Sequence, residues 1–185
     1  MIRPLSYIIA ALQCAIPNMS DAVARPYARV ISRLAVEHHF DPVTMISMGE
    51  FESRWRPHAK NVVGREEYVG ILQIRLRNYP ECQKSRFTPE CDKRRQLLED
   101  WRTNLQTGAR YITINRDMCR EKVGGALFWQ WLFSFQGFNK PKLKILCGMQ
   151  QTKRGQWRQL KRPELVSQVM RERLRIIKEL DAKRK

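Results

Sequence analysis

Two carboxylates stand two positions apart, Glu50 and Glu52, inside a stretch that reads DPVTMISMGEFESRWRPHAKNVVGREEYVGILQI from Asp41 to Ile74. Asp41 suits a helix N-cap and Pro42 the first helical position. The helix should run through Met45, Ile46 and Met48 and stop near Ser53, because Arg56-Pro57 cannot continue it. Glu52 then falls in the last turn of a mostly apolar helix. The C-terminal end of a helix is its negative end, so a carboxylate there gains nothing from the dipole. Burial would raise its pKa further. A carboxyl group so raised donates a proton at neutral pH, as cleavage of a glycosidic bond requires. The plainer reading of a single Glu at a helix end is a salt bridge, in a chain with 35 Lys and Arg. Glu50 and Glu52 point about 200° apart on a helix, so only one can face a given groove.

The residues around Glu52 add to this. Glu52-Ser53-Arg54-Trp55-Arg56-Pro57-His58-Ala59 resembles the Glu-Ser-x-aromatic-x-Pro-x-Ala signature of lytic transglycosylases of the soluble, goose-lysozyme-like kind. In that family a Gly and then Gly-Leu-Met-Gln-Ile follow. Here Gly64 falls twelve residues after Glu52, and Gly70-Ile71-Leu72-Gln73-Ile74 matches the second motif. Arg65 to Val69 sets that motif about three residues late. Asn104-Leu105-x-x-Gly108-x-x-Tyr111-Ile112 resembles the family's Asn-Ile-x-x-Gly-x-x-Tyr-Leu helix. Phe135-Gln136-Gly137 stands where the family carries Tyr-Asn-x-Gly, with Phe for Tyr and Gln for Asn. The resemblance spans roughly residues 26 to 140.

The resemblance implies a mainly α, lysozyme-like fold with a central buried helix and a substrate cleft edged by Glu52. It implies that Glu52, favoured over Glu50 by its place before Ser53, acts first as acid and then as base. The bond cleaved would join N-acetylmuramic acid to N-acetylglucosamine in peptidoglycan. The muramoyl acetamido oxygen would assist, and a 1,6-anhydro end would form without water. Ser53 would position the acetamido group or Glu52. Gly70, Gln73 and Gln136 would line the cleft, and Trp55, Tyr68, Phe135 and Phe138 could stack on sugars. The family's Tyr hydroxyl is missing at Phe135, and Tyr68 is an aromatic that still carries one. No metal or organic cofactor is implied. A hydrolytic lysozyme of the same fold would need a second carboxylate, for which Glu66 and Glu67 are candidates. A third reading is a non-catalytic, basic envelope-binding or phage-virion protein that keeps the fold.

Several elements must hold these residues. Tyr27, Val30, Ile31, Leu34 and Ala35 share one helical face after Pro26 and should pack on the Glu52 helix. Glu37, His38 and His39 read as its solvated end. From Asp92 to about Met118 the pattern of Leu98, Trp101, Leu105, Gly108 and Ile112 predicts one long helix capped by Asp92. Gly124-Gly125 breaks the chain, and the aromatic run Ala126 to Phe135 reads as the central buried helix. Pro163 should open a last helix with Val166, Val169, Met170, Leu174 and Ile177 inside and a basic outer face.

The 185 residues bound a single domain over 25–185, and no apolar run reaches the roughly 18 residues of a membrane span. A net charge of +17 predicts attraction to polyanions without identifying which; the resemblance implies peptidoglycan and acidic envelope polymers as partners rather than nucleic acid. Five cysteines leave one over. Cys82 and Cys91 would close a local loop, with Cys119 and Cys147 as the remaining pair; none has metal-type spacing to a histidine. Residues 1–24 read either as a signal peptide ending in Ala22-Val23-Ala24, whose removal would take Cys14 with it, or as an extra helix with Cys14 buried and free. Paired cysteines suit a periplasmic, secreted or phage-borne protein.

Overall fold

In the computed structural model, residues 3–124, 127–136, 141–152 and 154–183 are described. Phe138, Gly125 and Gly137 lie outside them. The helix at the centre of the structure is α3, Pro42–Ser53, with Asp41 as N-cap accepting from the Val43 N–H at 3.3 Å. Nearly every residue from Pro42 to Gly49 is buried, which a helix can be only with neighbours on several sides. Those neighbours are α1 (Leu5–Ala15), α2 (Asp21–Glu37) and α8 (Glu164–Ala182). Helix α3 ends because Arg54 and Trp55 both take left-handed backbone conformations, at φ 53° and 57°.

Beyond α3 the chain forms a three-stranded antiparallel sheet of β1 (Lys60–Val63), β2 (Glu66–Val69) and β3 (Ile74–Arg75). The extra residues Arg65 to Val69 belong to this hairpin, with Val63 paired to Glu66 across the turn. Next come α4 (Pro80–Gln83), α5 (Pro89–Glu99), α6 (Trp101–Val123) and α7 (Phe128–Phe135). A second small antiparallel sheet, β4 (Ile145–Leu146), β5 (Met149–Gln151) and β6 (Trp157–Gln159), precedes α8. The architecture is mainly α with two small sheets.

Four expectations need correction. Helix α2 starts at Asp21, capped by Ser20, and carries Pro26 inside it. The single helix expected from Asp92 is two helices. Thr88 caps α5, and Asp100 breaks the run because its carboxylate accepts from the Thr103 N–H at 2.8 Å and starts α6. The buried positions of α8 are Val166, Val169, Ile176 and Leu180, while Leu174 is exposed. Arg173 sits between them and bonds Asp41 at 2.5 Å, so a cation occupies the turn that an unbroken apolar stripe would fill. Finally, α7 is buried from Trp129 to Ser134 but packs to one side, on α6 and α8, while α3 holds the centre.

Helix α1 is part of the core through Tyr7, Ile8, Leu12 and Cys14, and Ala24 is buried inside α2. A cut after Ala24 would sever α2 and remove that helix. Disulfides join Cys82 to Cys91 and Cys119 to Cys147, and Cys14 is free and buried. Among the described residues no helix is long and apolar enough to cross a membrane.

Candidate active site

Glu52 lies in the last turn of α3 and faces the end of α7. Burial is the main influence on its carboxyl and raises its pKa to about 7. The opposing influence is a long hydrogen bond, 3.5 Å, donated by Gln136 Nε2 to Glu52 Oε1. Among the described residues Glu52 makes no ion pair, despite the abundance of arginine. Gln136 reaches it because it caps α7, its own N–H bonded to Leu132 O at 3.0 Å. The other end of its amide, Oε1, is buried with no partner among the described residues.

Glu50 faces the other way. Its pKa is raised by burial and by the neighbouring Glu172, and lowered by Arg175 and Arg54. Glu172 and Arg175 belong to α8, so the two carboxylates are divided between opposite sides of α3, as the helical angle requires.

The remaining expected site residues separate into those near a surface and those that hold the frame. Ser53 is buried; its hydroxyl donates to Gly49 O at 3.3 Å and accepts from the Arg56 N–H at 3.2 Å. It therefore fixes the turn that ends α3 and acts on Glu52 through the backbone. Trp55 is core rather than a sugar platform: it is 6% exposed, donates from Nε1 to Ile46 O at 3.2 Å, and packs edge-on to Tyr27. A Cβ on Gly49 would lie 2.8 Å from the Trp55 ring, so the aromatic sits directly on the helix backbone. Phe135 is half-buried against the core, and Tyr68 is half-buried on β2.

The loop Gly70 to Gln73 is pinned from α6. Asn104 is fully buried; its Oδ1 accepts from the Leu72 N–H at 2.8 Å and its Nδ2 donates to Val69 O at 2.9 Å and Leu98 O at 3.0 Å. Gly70 has φ 80°, and a Cβ there would stand 2.1 Å from Asn104 Nδ2. A Cβ on Gly108 would meet Leu72 Cδ1 at 2.0 Å. Two sequence motifs 30 or so residues apart thus share one interface. Gln73, at φ 46°, donates to Gly70 O at 2.9 Å and Ala59 O at 3.2 Å, so its Nε2 closes the loop. In the sequence Asn104 shows only as the first residue of the Asn104-Leu105-x-x-Gly108 motif. A polar residue on the apolar face of α6 was the available signal for its pinning role.

Glu66 and Glu67 are both held by arginines. Glu66 takes Arg75 at 2.6 Å and Arg77 at 3.0 Å, which pull its pKa down to about 2. Glu67 is buried and takes Arg95 at 2.6 Å and 3.1 Å. Neither is placed as a free base. Among the described residues no cluster of three His, Cys, Asp or Glu side chains gathers where a metal could be held.

A sizeable cavity lies elsewhere. It encloses ≈600 Å³ between α1, α2 and the segment His39 to Pro42, and Glu52 does not line it. The chemistry, not the volume, singles out Glu52: a carboxyl near neutrality with one amide partner can give a proton and take it back. No family model, curated protein or solved structure matches the chain.

Proposed function

We propose that the protein is a peptidoglycan lytic transglycosylase of lysozyme-like fold, with Glu52 as its single acid and base. The observation that carries the reading is the state of Glu52: a half-buried side chain whose carboxyl is desolvated, makes no ion pair among the described residues, and has its pKa raised to about 7. The proton would go from Glu52 to the glycosidic oxygen as the C1–O4 bond between N-acetylmuramic acid and N-acetylglucosamine breaks. The muramoyl acetamido oxygen would support the cation at C1. The Glu52 carboxylate would then take the proton of the C6 hydroxyl as O6 bonds C1, giving the 1,6-anhydro end with no water consumed. Glu52 returns to its protonated form, so atoms and charge balance.

Two further features support this reading, and the first of them speaks against hydrolysis. Glu66 and Glu67, the candidates for activating water, are committed to Arg75, Arg77 and Arg95. The Glu52 turn and the Gly70 to Gln73 loop are fixed by Ser53 and Asn104, as a preorganised site needs. The missing family hydroxyl at Phe135 is offset by Gln136, which supplies a polar contact to Glu52 from the next residue. The test is digestion of purified peptidoglycan by the protein and by Glu52→Gln. Glycan release by the first and not by the second, with the variant's circular dichroism unchanged, is expected; equal release by both would remove Glu52 from the mechanism.

A further inference from the structure

At the far end of the β1–β2 hairpin the chain builds a second feature that the glycan chemistry does not use. Gly64 and Arg65 at the hairpin turn face the loop Cys82 to Phe87 across a pocket of ≈250 Å³, whose lining also includes Arg77. The lining is basic: Arg65, Arg77, Lys84 and Arg86, with no carboxylate among the residues that form it. Arg77 pairs with Glu66 at 3.0 Å, a carboxylate it shares with Arg75. Arg65, Lys84 and Arg86 make no ion pair among the described residues. The Arg86 guanidinium lies over the Phe87 ring at 4.9 Å, and its buried Nη1 has no hydrogen-bond partner among the described residues, so it can donate to an oxyanion.

Phe87 lines this pocket, and Val62 and Val63 precede its Gly64 in the chain; all three are outward. Phe87 is 77% exposed, and Val62 and Val63 are 51% and 60% exposed. The two valines alternate across the strand, so they present apolar surface on both faces of the hairpin end. The loop that carries Phe87 is fixed, not loose. Cys82–Cys91 closes it, Arg95 Nη2 donates to Arg86 O at 2.8 Å, and Thr88 Oγ1 donates to Glu81 O at 3.3 Å. A rigid tip that combines protruding apolar side chains with unpaired cations around a cavity matches one surface chemistry best. An acidic polymer would satisfy the cations but leave Phe87 and the valines in water. A bilayer of anionic phospholipid satisfies both, with headgroup phosphate below and acyl chains above.

We propose that this tip docks on an anionic phospholipid surface, with a headgroup phosphate entering the pocket beside Arg86 and with Phe87, Val62 and Val63 reaching the acyl boundary. The assignment does not depend on the catalytic reading.

Co-sedimentation with vesicles of phosphatidylglycerol and phosphatidylcholine, against vesicles of phosphatidylcholine alone, tests it. Binding to the acidic vesicles is expected, weakened at least about tenfold by Phe87→Ser with Val63→Ser, and by Arg65→Glu with Lys84→Glu. All four side chains are on the surface, so these variants should fold; their thermal unfolding is measured alongside. Arg29→Glu with Arg33→Glu on α2 changes net charge equally and should weaken binding far less. Equal loss from that control would reduce the effect to general charge and overturn the proposal. So would full binding by the Phe87→Ser, Val63→Ser variant, which would point to a purely ionic surface. Saturable binding of inorganic phosphate or of a glycerol-phosphate polymer without vesicle binding would assign the pocket to a soluble anion and also overturn it.

Discussion

Glu52 can meet the same amide in both of its protonation states. As a carboxylate it accepts from Gln136 Nε2. As an acid it could donate to Gln136 Oε1 after the amide turns over, and that oxygen has no other partner among the described residues. Gln136 is therefore placed to steady the group through a proton cycle. Because its hydrogen bond lowers the Glu52 pKa, Gln136→Leu should raise that pKa and move the alkaline fall of activity to higher pH, while lowering the rate overall. A pH–rate profile reads both effects. In the unaltered protein the fall should lie near pH 7, since the acid must be protonated to act. Stability should follow the same group. With its folded pKa above the usual carboxylate value, Glu52 contributes fully below about pH 4.5, and that contribution is lost as pH rises through about 7. Glu52→Gln removes this loss, so the variant should gain about 1–3 kcal/mol on the parent between pH 4.5 and pH 8.5 in paired urea titrations. No pH dependence of that difference would mean Glu52 is solvated.

At the scale of elements, the Glu52 turn and the Gly70 loop depend on a few buried polar bonds. Asn104→Ala removes three hydrogen bonds at once and strands the Leu72 N–H. It should destabilise by about 2–4 kcal/mol in chemical unfolding, and a change under about 0.5 would deny the pinning role. Replacing Cys82 and Cys91 by Ser opens the loop they close and should lower stability by roughly 2–3 kcal/mol. Much of this frame could be read from the chain. Asp41-Pro42 and Arg56-Pro57 bound α3, because caps and prolines act locally, and both cysteine pairs join as expected. What could not be read depended on tertiary partners. The strands β1 and β2 are only four residues each, too short to show alternation, and include Glu66 and Glu67, whose charges are met by distant arginines. The break at Asp100 does not show in the sequence pattern, because the apolar period continues across it from Leu98 to Trp101. The orientation of Trp55 was equally hidden, since an aromatic after a helix end can turn inward or outward and only Gly49 and Tyr27 decide it.

For the molecule as a whole, the balance of +17 leaves a surface suited to acidic surroundings, yet the Glu52 carboxyl makes no ion pair among the described residues. That contrast is what separates Glu52 from the paired acids around it. Helix α1 completes the same body, since it packs on α2, α3 and α8. Removing residues 1–24 should therefore abolish cooperative thermal unfolding; an unchanged transition would mean that α1 is dispensable. The most direct test of the central claim is digestion of peptidoglycan in heavy-oxygen water, followed by mass spectrometry of the muropeptides. The expected products end in 1,6-anhydro-N-acetylmuramic acid and carry no heavy oxygen. Reducing ends that have taken up solvent oxygen would contradict the internal transfer and assign the reaction to hydrolysis.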